Sequence, residues 1–289
     1  MSYNLCPRVR SGWWLLLVAT LALANSANAQ NIQSFSWKAA AAPNVSTASW
    51  SNAQISAFIN ATDPKRIAVS TPMIVTDFGF YDLAGDGNLE LIAVDPGERG
   101  YTSIAVVHRS GTGFSVAWVS TIFVRTVSEL VAHLRNDSSI QLLIPRWLTN
   151  YNGARAPIGR WTAIYTWSGA QLVDSTSAFR EYYRSTIVPK LKSQLIDALS
   201  KSGPDSADTL VAKVEYDKAQ RTSGDDPTAG VNDAFAWTSS ADVVHRLLAV
   251  AVLRDIGTPA AKSSLESLSG DADASVAGDA AQAVAKWQH

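Results

Sequence analysis

The residues whose types and spacing could do chemistry are gathered in one short loop, Asp82-Leu83-Ala84-Gly85-Asp86-Gly87-Asn88-Leu89-Glu90. Carboxylates spaced around a sharp turn can wrap a hard cation such as Ca²⁺ in oxygens. Gly87 takes positive φ without steric cost, and Asn88 tolerates it, so the chain can reverse here. The same Asp and Asn side chains can instead cap backbone N–H groups of the turn, and the sequence leaves both readings open. An EF-hand is excluded: counted from Asp82, positions 3 and 12 are Ala84 and Ala93, where that motif needs oxygen ligands.

Other chemical signals are sparse. The chain has no Gly-x-Ser-x-Gly, no His-Glu-x-x-His and no P-loop. Four histidines, His108, His133, His245 and His289, are scattered along it. Asp225-Asp226 falls in a polar loop, where solvation is the ordinary use of paired carboxylates. An uncharacterised hydrolase is therefore the lesser alternative. Arg146-Trp147-Leu148-Thr149-Asn150-Tyr151-Asn152-Gly153-Ala154-Arg155 mixes cations, aromatics and amides. It is either a binding loop, with Arg146, Tyr151 and Arg155 as contacts, or an ordinary connection between strands.

The elements that must position these residues begin after an export signal. Arg8 and Arg10 precede the apolar run Trp13 to Ala24, and Ala27-Asn28-Ala29 supplies a cleavage site. The run is shorter than the ~20 residues that span a bilayer. Residues 1–29 are thus expected to be a signal peptide, and the exported chain is expected in the periplasm or outside the cell, with no membrane span. Cys6 leaves with the signal, so no disulfide is expected. What remains has 22 basic and 25 acidic residues, a net charge of −3. That mild acidity argues against a nucleic-acid or anionic-membrane partner.

Residues 30–66 read as an adaptor segment. Ser51 to Ile59 suggests a short helix with Ile55, Phe58 and Ile59 on one face, ended by Asp63-Pro64. Residues 67–180 read as β structure. Apolar runs such as Thr102–His108 and Phe114–Val119 are separated by Gly turns. The pattern repeats. Asp82–Asp86 aligns with His133–Asp137, and Glu90-Leu91-Ile92 with Gln141-Leu142-Leu143, at an offset of 51. Ser110-Gly111 aligns with Ser168-Gly169 at an offset of 58. A period of about 50 is one propeller blade. Two blades cannot close a ring that needs about 4–8. The expected fold is α+β, with two antiparallel four-strand meanders, not a closed propeller, followed by helices.

The loop and its flanking strands resemble the FG-GAP/VCBS repeat, the integrin α-like propeller repeat, in degenerate form. Trp161 to Gly169 followed by Leu172-Val173 also resembles the last hairpin of such exported proteins. The resemblance implies a possible calcium loop, with side-chain ligands Asp82, Asp86 and Glu90 and the carbonyl of Asn88. Ala84 replaces a usual ligand. The second copy has His133, Arg135, Ser138 and Gln141 at the corresponding places and keeps only the hairpin.

Residues 181–289 change to helical spacing. Tyr182 through Leu199 is interrupted by Pro189, and a second helix is expected over roughly Ser206–Gln220. From about residue 240, short Ala-rich helices joined by Gly257-Thr258-Pro259 and Gly270-Asp271-Ala272-Asp273 resemble HEAT-like repeats. Both resemblances imply a contact surface rather than a reaction centre. The reading is an exported, non-enzymatic binding protein with a protein partner. The alternative is a glycan or cell-wall binding module. Eight tryptophans remain after the signal, and their rings can stack on sugars or anchor a core.

Overall fold

The structure, a computed structural model, describes residues 50–67, 71–97, 100–111, 113–148, 159–169 and 171–287. The expected signal peptide, most of the adaptor, Tyr151, Arg155 and His289 lie outside the described residues. Two four-stranded sheets are present, each a meander: β1 Asp77–Tyr81, β2 Glu90–Pro96, β3 Tyr101–Ser110 and β4 Gly113–Ile122, then β5 Val131–Ala132, β6 Gln141–Trp147, β7 Arg160–Ser168 and β8 Gln171–Asp174. Neither closes into a barrel. Helices follow, so the α+β class read from the pattern is the class observed.

Contacts divide the chain into two compact units, and the division falls between the sheets rather than at residue 180. One unit runs to Leu130 and adds Asp137–Ile140 and Trp167–Gln171; the other takes Val131–Asn136, Gln141–Thr166 and Leu172–His289. In the first unit, helix α1 (Asn52–Thr62) starts at Ser51. The Ser51 hydroxyl accepts the Gln54 N–H, and the Gln54 side chain returns a bond to the Ser51 N–H. This capping box satisfies donors that the first turn cannot bond itself. Ile55, Phe58 and Ile59 bury one face against Leu91, Ala93, Ala105 and Val107, the alternate residues of β2 and β3. Burying each such apolar side chain contributes about 1.5–3 kcal/mol. The helix stops at Thr62, and Pro64 opens a separate turn, α2 (Pro64–Ile67). Trp118 is structural here: its Nε1–H donates to Asp63 at 2.9 Å, and the Arg66 guanidinium lies 3.4 Å above its ring centroid.

In the second unit the longer helices are α3 (Val188–Ser202), α4 (Ala207–Ser223), α5 (Val231–Trp237), α6 (Val243–Ile256), α7 (Pro259–Leu268) and α8 (Ala274–Ala285). Pro189 cannot donate to the preceding turn. The chain absorbs this with a π-helical turn, Tyr183–Ile187, ahead of α3. Ser206, Asp242, Thr258 and Asp273 cap α4, α6, α7 and α8 through their side chains. The core gathers Leu210 and Val214 of α4, Leu247 to Leu253 of α6, Leu265 of α7 and Val276 and Ala280 of α8. The small alanines of α8 let it approach α6 and α7 closely. No helix among the described residues is long and apolar enough to cross a membrane.

Candidate functional site

The acidic loop turns its carboxylates onto the backbone. Asp82 Oδ1 accepts the N–H groups of Gly85 at 2.7 Å and Asp86 at 3.0 Å, and Oδ2 accepts that of Gly87 at 2.9 Å. Asp86 accepts the Asn88 N–H at 2.9 Å. Gly85 and Gly87 both have positive φ, 74° and 80°. The Gly85 carbonyl also takes the Ser138 hydroxyl, and a Cβ on Gly85 would stand 2.9 Å from that oxygen. Glu90 is 1 % exposed. Its Oε2 accepts the Leu83 N–H at 2.9 Å, and its Oε1 meets His108 Nδ1 at 3.1 Å.

As arranged, the carboxylates of Asp82 and Asp86 cap backbone N–H groups of the turn. An ionised carboxylate has about four acceptor sites, so the three N–H groups on Asp82 leave it capacity of the kind a cation would use. Among the described residues no three His, Cys, Asp or Glu side chains group to hold a metal.

The Glu90–His108 pair borders a hollow of about 270 Å³ with Asn88, Leu89, Arg109 and Gly111. The Trp167 ring packs on the imidazole at 5.1 Å between centroids. Burial raises the pKa of the Glu90 carboxyl, opposed by the Leu83 N–H and by His108. Acyl-transfer catalysis of the Ser–His type needs a nucleophile within hydrogen-bond reach of its base. Among the described residues no hydroxyl bonds His108. The pair ties β2 to β3.

Of the three proposed contacts of the binding loop, only Arg146 is described. It sits on β6, and its guanidinium is directed along the sheet, donating to the Tyr165 hydroxyl at 2.6 Å and lying 5.5 Å from that ring's centroid.

The larger concavity lies elsewhere, within the second unit. A cleft of about 860 Å³ is lined by Pro145 of β6, Arg160, Trp161 and Thr162 of β7, the π turn and α3 (Tyr183, Ile187, Lys190, Leu191, Gln194), and α4. Its volume falls in the ~300–1,000 Å³ range of ligand pockets. The α4 contributors, Ala207, Asp208, Val211, Ala212, Glu215, Lys218 and Ala219, recur every three to four residues, so they form one stripe. That stripe runs about 18 Å along the helix at ~1.5 Å per residue. Aliphatic side chains and one indole make half of the lining; the other half is polar or charged.

Side chains fasten the β7 wall. Arg160, Thr162 and Ile164 alternate along β7 and turn their backbone polar groups to the side away from β6. On that side Glu215 Oε1 accepts the Arg160 N–H at 2.7 Å, the Tyr183 hydroxyl donates to the Thr162 carbonyl, and Thr176 Oγ1 accepts the Ile164 N–H at 2.9 Å. β8 is too short to cover this stretch. The Thr162 N–H faces the same side and has no hydrogen-bond partner among the described residues.

Burial raises the pKa of the Glu215 carboxyl, opposed by the Arg160 N–H, and raises that of the Tyr183 hydroxyl. The Lys218 ammonium lies 4.4 Å from the Trp161 ring centroid and pairs with Asp255, which also takes Arg221 at 2.9 Å. Burial alone would raise the Asp255 carboxyl, yet Lys218 and Arg221 hold it below the usual carboxylate range. The ion pairs thus anchor Lys218, and Lys218 anchors the indole.

Sequence reasoning missed this cleft. Trp161 was visible as part of a hairpin, but Glu215 occupies what looks like an ordinary polar position of an amphipathic helix. Its significance comes from the strand edge opposite, which no local pattern announces. Compared with known proteins, the chain matches no family model, no curated protein and no solved structure.

Proposed function

We propose that this chain is an exported, non-enzymatic binding protein that holds a protein partner in the cleft between β7, α3 and α4. The observation that carries the reading is the cleft itself: a groove in which aliphatic side chains and an anchored indole alternate with polar and charged groups. Such concavities are the default binding sites of globular units. The leader-like start of the sequence supports export. The likeness of the β part to FG-GAP/VCBS repeats and of the tail to HEAT-like repeats supports a contact role, by analogy of fold. The acidic loop serves as a turn that holds β1 and β2.

A glycan ligand is the second reading, favoured by Trp161 in the cleft wall. Substitution Ala212→Trp separates these from a protein with no cleft ligand, because the indole fills the groove from α4. With the melt unchanged, capture of envelope or secreted proteins by the wild type and its loss in Ala212→Trp supports the protein reading. Retention of cell-wall glycan, lost in the same variant, supports the second. Equal capture by both variants removes the cleft from the function.

A further inference from the structure

We infer that Glu215 and the backbone N–H of Thr162 together form an amide-recognition pair, and that the ligand it takes is an extended peptide segment of the partner. The inference rests on the cleft reading above and names the ligand's chemistry. Glu215 lines the cleft and uses Oε1 for the Arg160 N–H; its second oxygen has no hydrogen-bond partner among the described residues. It is an acceptor. The Thr162 N–H, on the same uncovered edge of β7, is a donor. A residue in an extended chain presents its own N–H and C=O to the same side, the complement of this pair.

Full strand addition along β7 is blocked, because Glu215 and Tyr183 already occupy the Arg160 N–H and the Thr162 carbonyl. The edge is therefore protected against indiscriminate pairing, yet open at one amide. The groove of about 18 Å along α4 accommodates roughly five extended residues at ~3.3 Å each. Its aliphatic lining, Ile187, Leu191 and Val211, suits their side chains. Recognition by a few main-chain bonds with pockets for alternate side chains is an established mode of peptide binding.

The test uses a random heptapeptide library displayed on phage, selected against the whole protein. A selected peptide is then titrated against wild type, Glu215→Gln and Ala212→Trp. Gln keeps an acceptor for the Arg160 N–H but turns a donor toward the ligand. The expected result is binding abolished by Ala212→Trp, weakened about tenfold or more by Glu215→Gln with the melt unchanged, and accompanied by a shift of the Thr162 amide resonance. Loss in Ala212→Trp with no effect of Glu215→Gln and an unmoved Thr162 amide overturns the amide pair and leaves the cleft reading intact. Peptides that bind Ala212→Trp as well as wild type overturn both. If N-acetylglucosamine trimer moves the Thr162 amide while no peptide does, the pair recognises an acetamido sugar and the peptide assignment falls.

Discussion

The two β meanders repeat one hydrogen-bond scheme with different chemistry. In the first, buried Glu90 at the start of β2 accepts the Leu83 N–H at 2.9 Å; in the second, Gln141 at the start of β6 accepts the Leu134 N–H at 2.8 Å. Asp86 accepts from the Asn88 N–H, and Asp137 from the Ser139 N–H, at 2.9 Å and 3.0 Å. Both correspondences fall at the offset of 51 seen in the sequence. The copies part at two places. Asp82, which ties three N–H groups, becomes His133, and Glu90, which also holds His108, becomes a neutral amide. What is retained is therefore the bond that closes the hairpin. A carboxylate serves it as well as an amide, and the charge is an addition of the first copy.

The strongest test of this equivalence is in the two cores. Leu91 and Leu142 occupy matching positions, and both are fully buried. Leu91→Ala and Leu142→Ala should each destabilise by about 2–5 kcal/mol, through lost burial and the cavity left behind. Urea denaturation measures both. A cost in one copy only would show that the other hairpin is a passive passenger of the helices. A smaller effect is expected where the shared bond is removed. Glu90→Leu and Gln141→Leu each leave a leucine N–H without its acceptor, at a cost of about 1–3 kcal/mol. The Glu90 substitution also strands His108, so it should be the larger of the two.

Much of this was legible in the sequence. The repeat, the absence of a closed ring and the α+β order followed from period and alternation. The helix starts at Ser51, Ser206, Thr258 and near Asp273 were legible because such signals are local: a hydroxyl or carboxylate can bond an N–H two or three residues on. Helix α5 was missed, since Val231–Trp237 is only 7 residues long and its Ala234 and Phe235 make no sustained period. The grouping of the second sheet with the helices was not legible either. It depends on Ile164 meeting Phe179, Tyr183 and Ala219, contacts set by tertiary packing. The cleft was hidden for the same reason, since Arg160 and Glu215 are 55 residues apart in sequence.

The charge difference between the copies has a pH signature. Burial raises the folded-state pKa of Glu90 above its ordinary value of 4.5. Between 4.5 and that raised value the folded state binds more protons than the unfolded state, so stability falls as pH rises through this window. Glu90→Gln copies the chemistry of Gln141 and keeps the Leu83 acceptor. It should remove that share of the decline, leaving a flatter stability profile above pH 4.5 in denaturation series. An unchanged slope would mean that Glu90 is no more reluctant to ionise in the fold than in the open chain.

The smallest effect concerns Asp82, the residue the second copy lacks. If its task is to hold the N–H groups of Gly85, Asp86 and Gly87, then Asp82→Ala should cost about 1 kcal/mol, in the manner of a lost helix cap. The cost should be the same in excess calcium and in chelator. If the loop instead binds calcium, saturation at ~100 times Kd would add about 2.7 kcal/mol to the wild type and nothing to the variant. The two roles therefore predict different things from one pair of melts. Wild-type melts that coincide with and without calcium, over a variant uniformly lower, assign Asp82 to the turn. The second copy then shows what the turn can do without: with His133 in that place, the Gln141 and Asp137 bonds still close the hairpin.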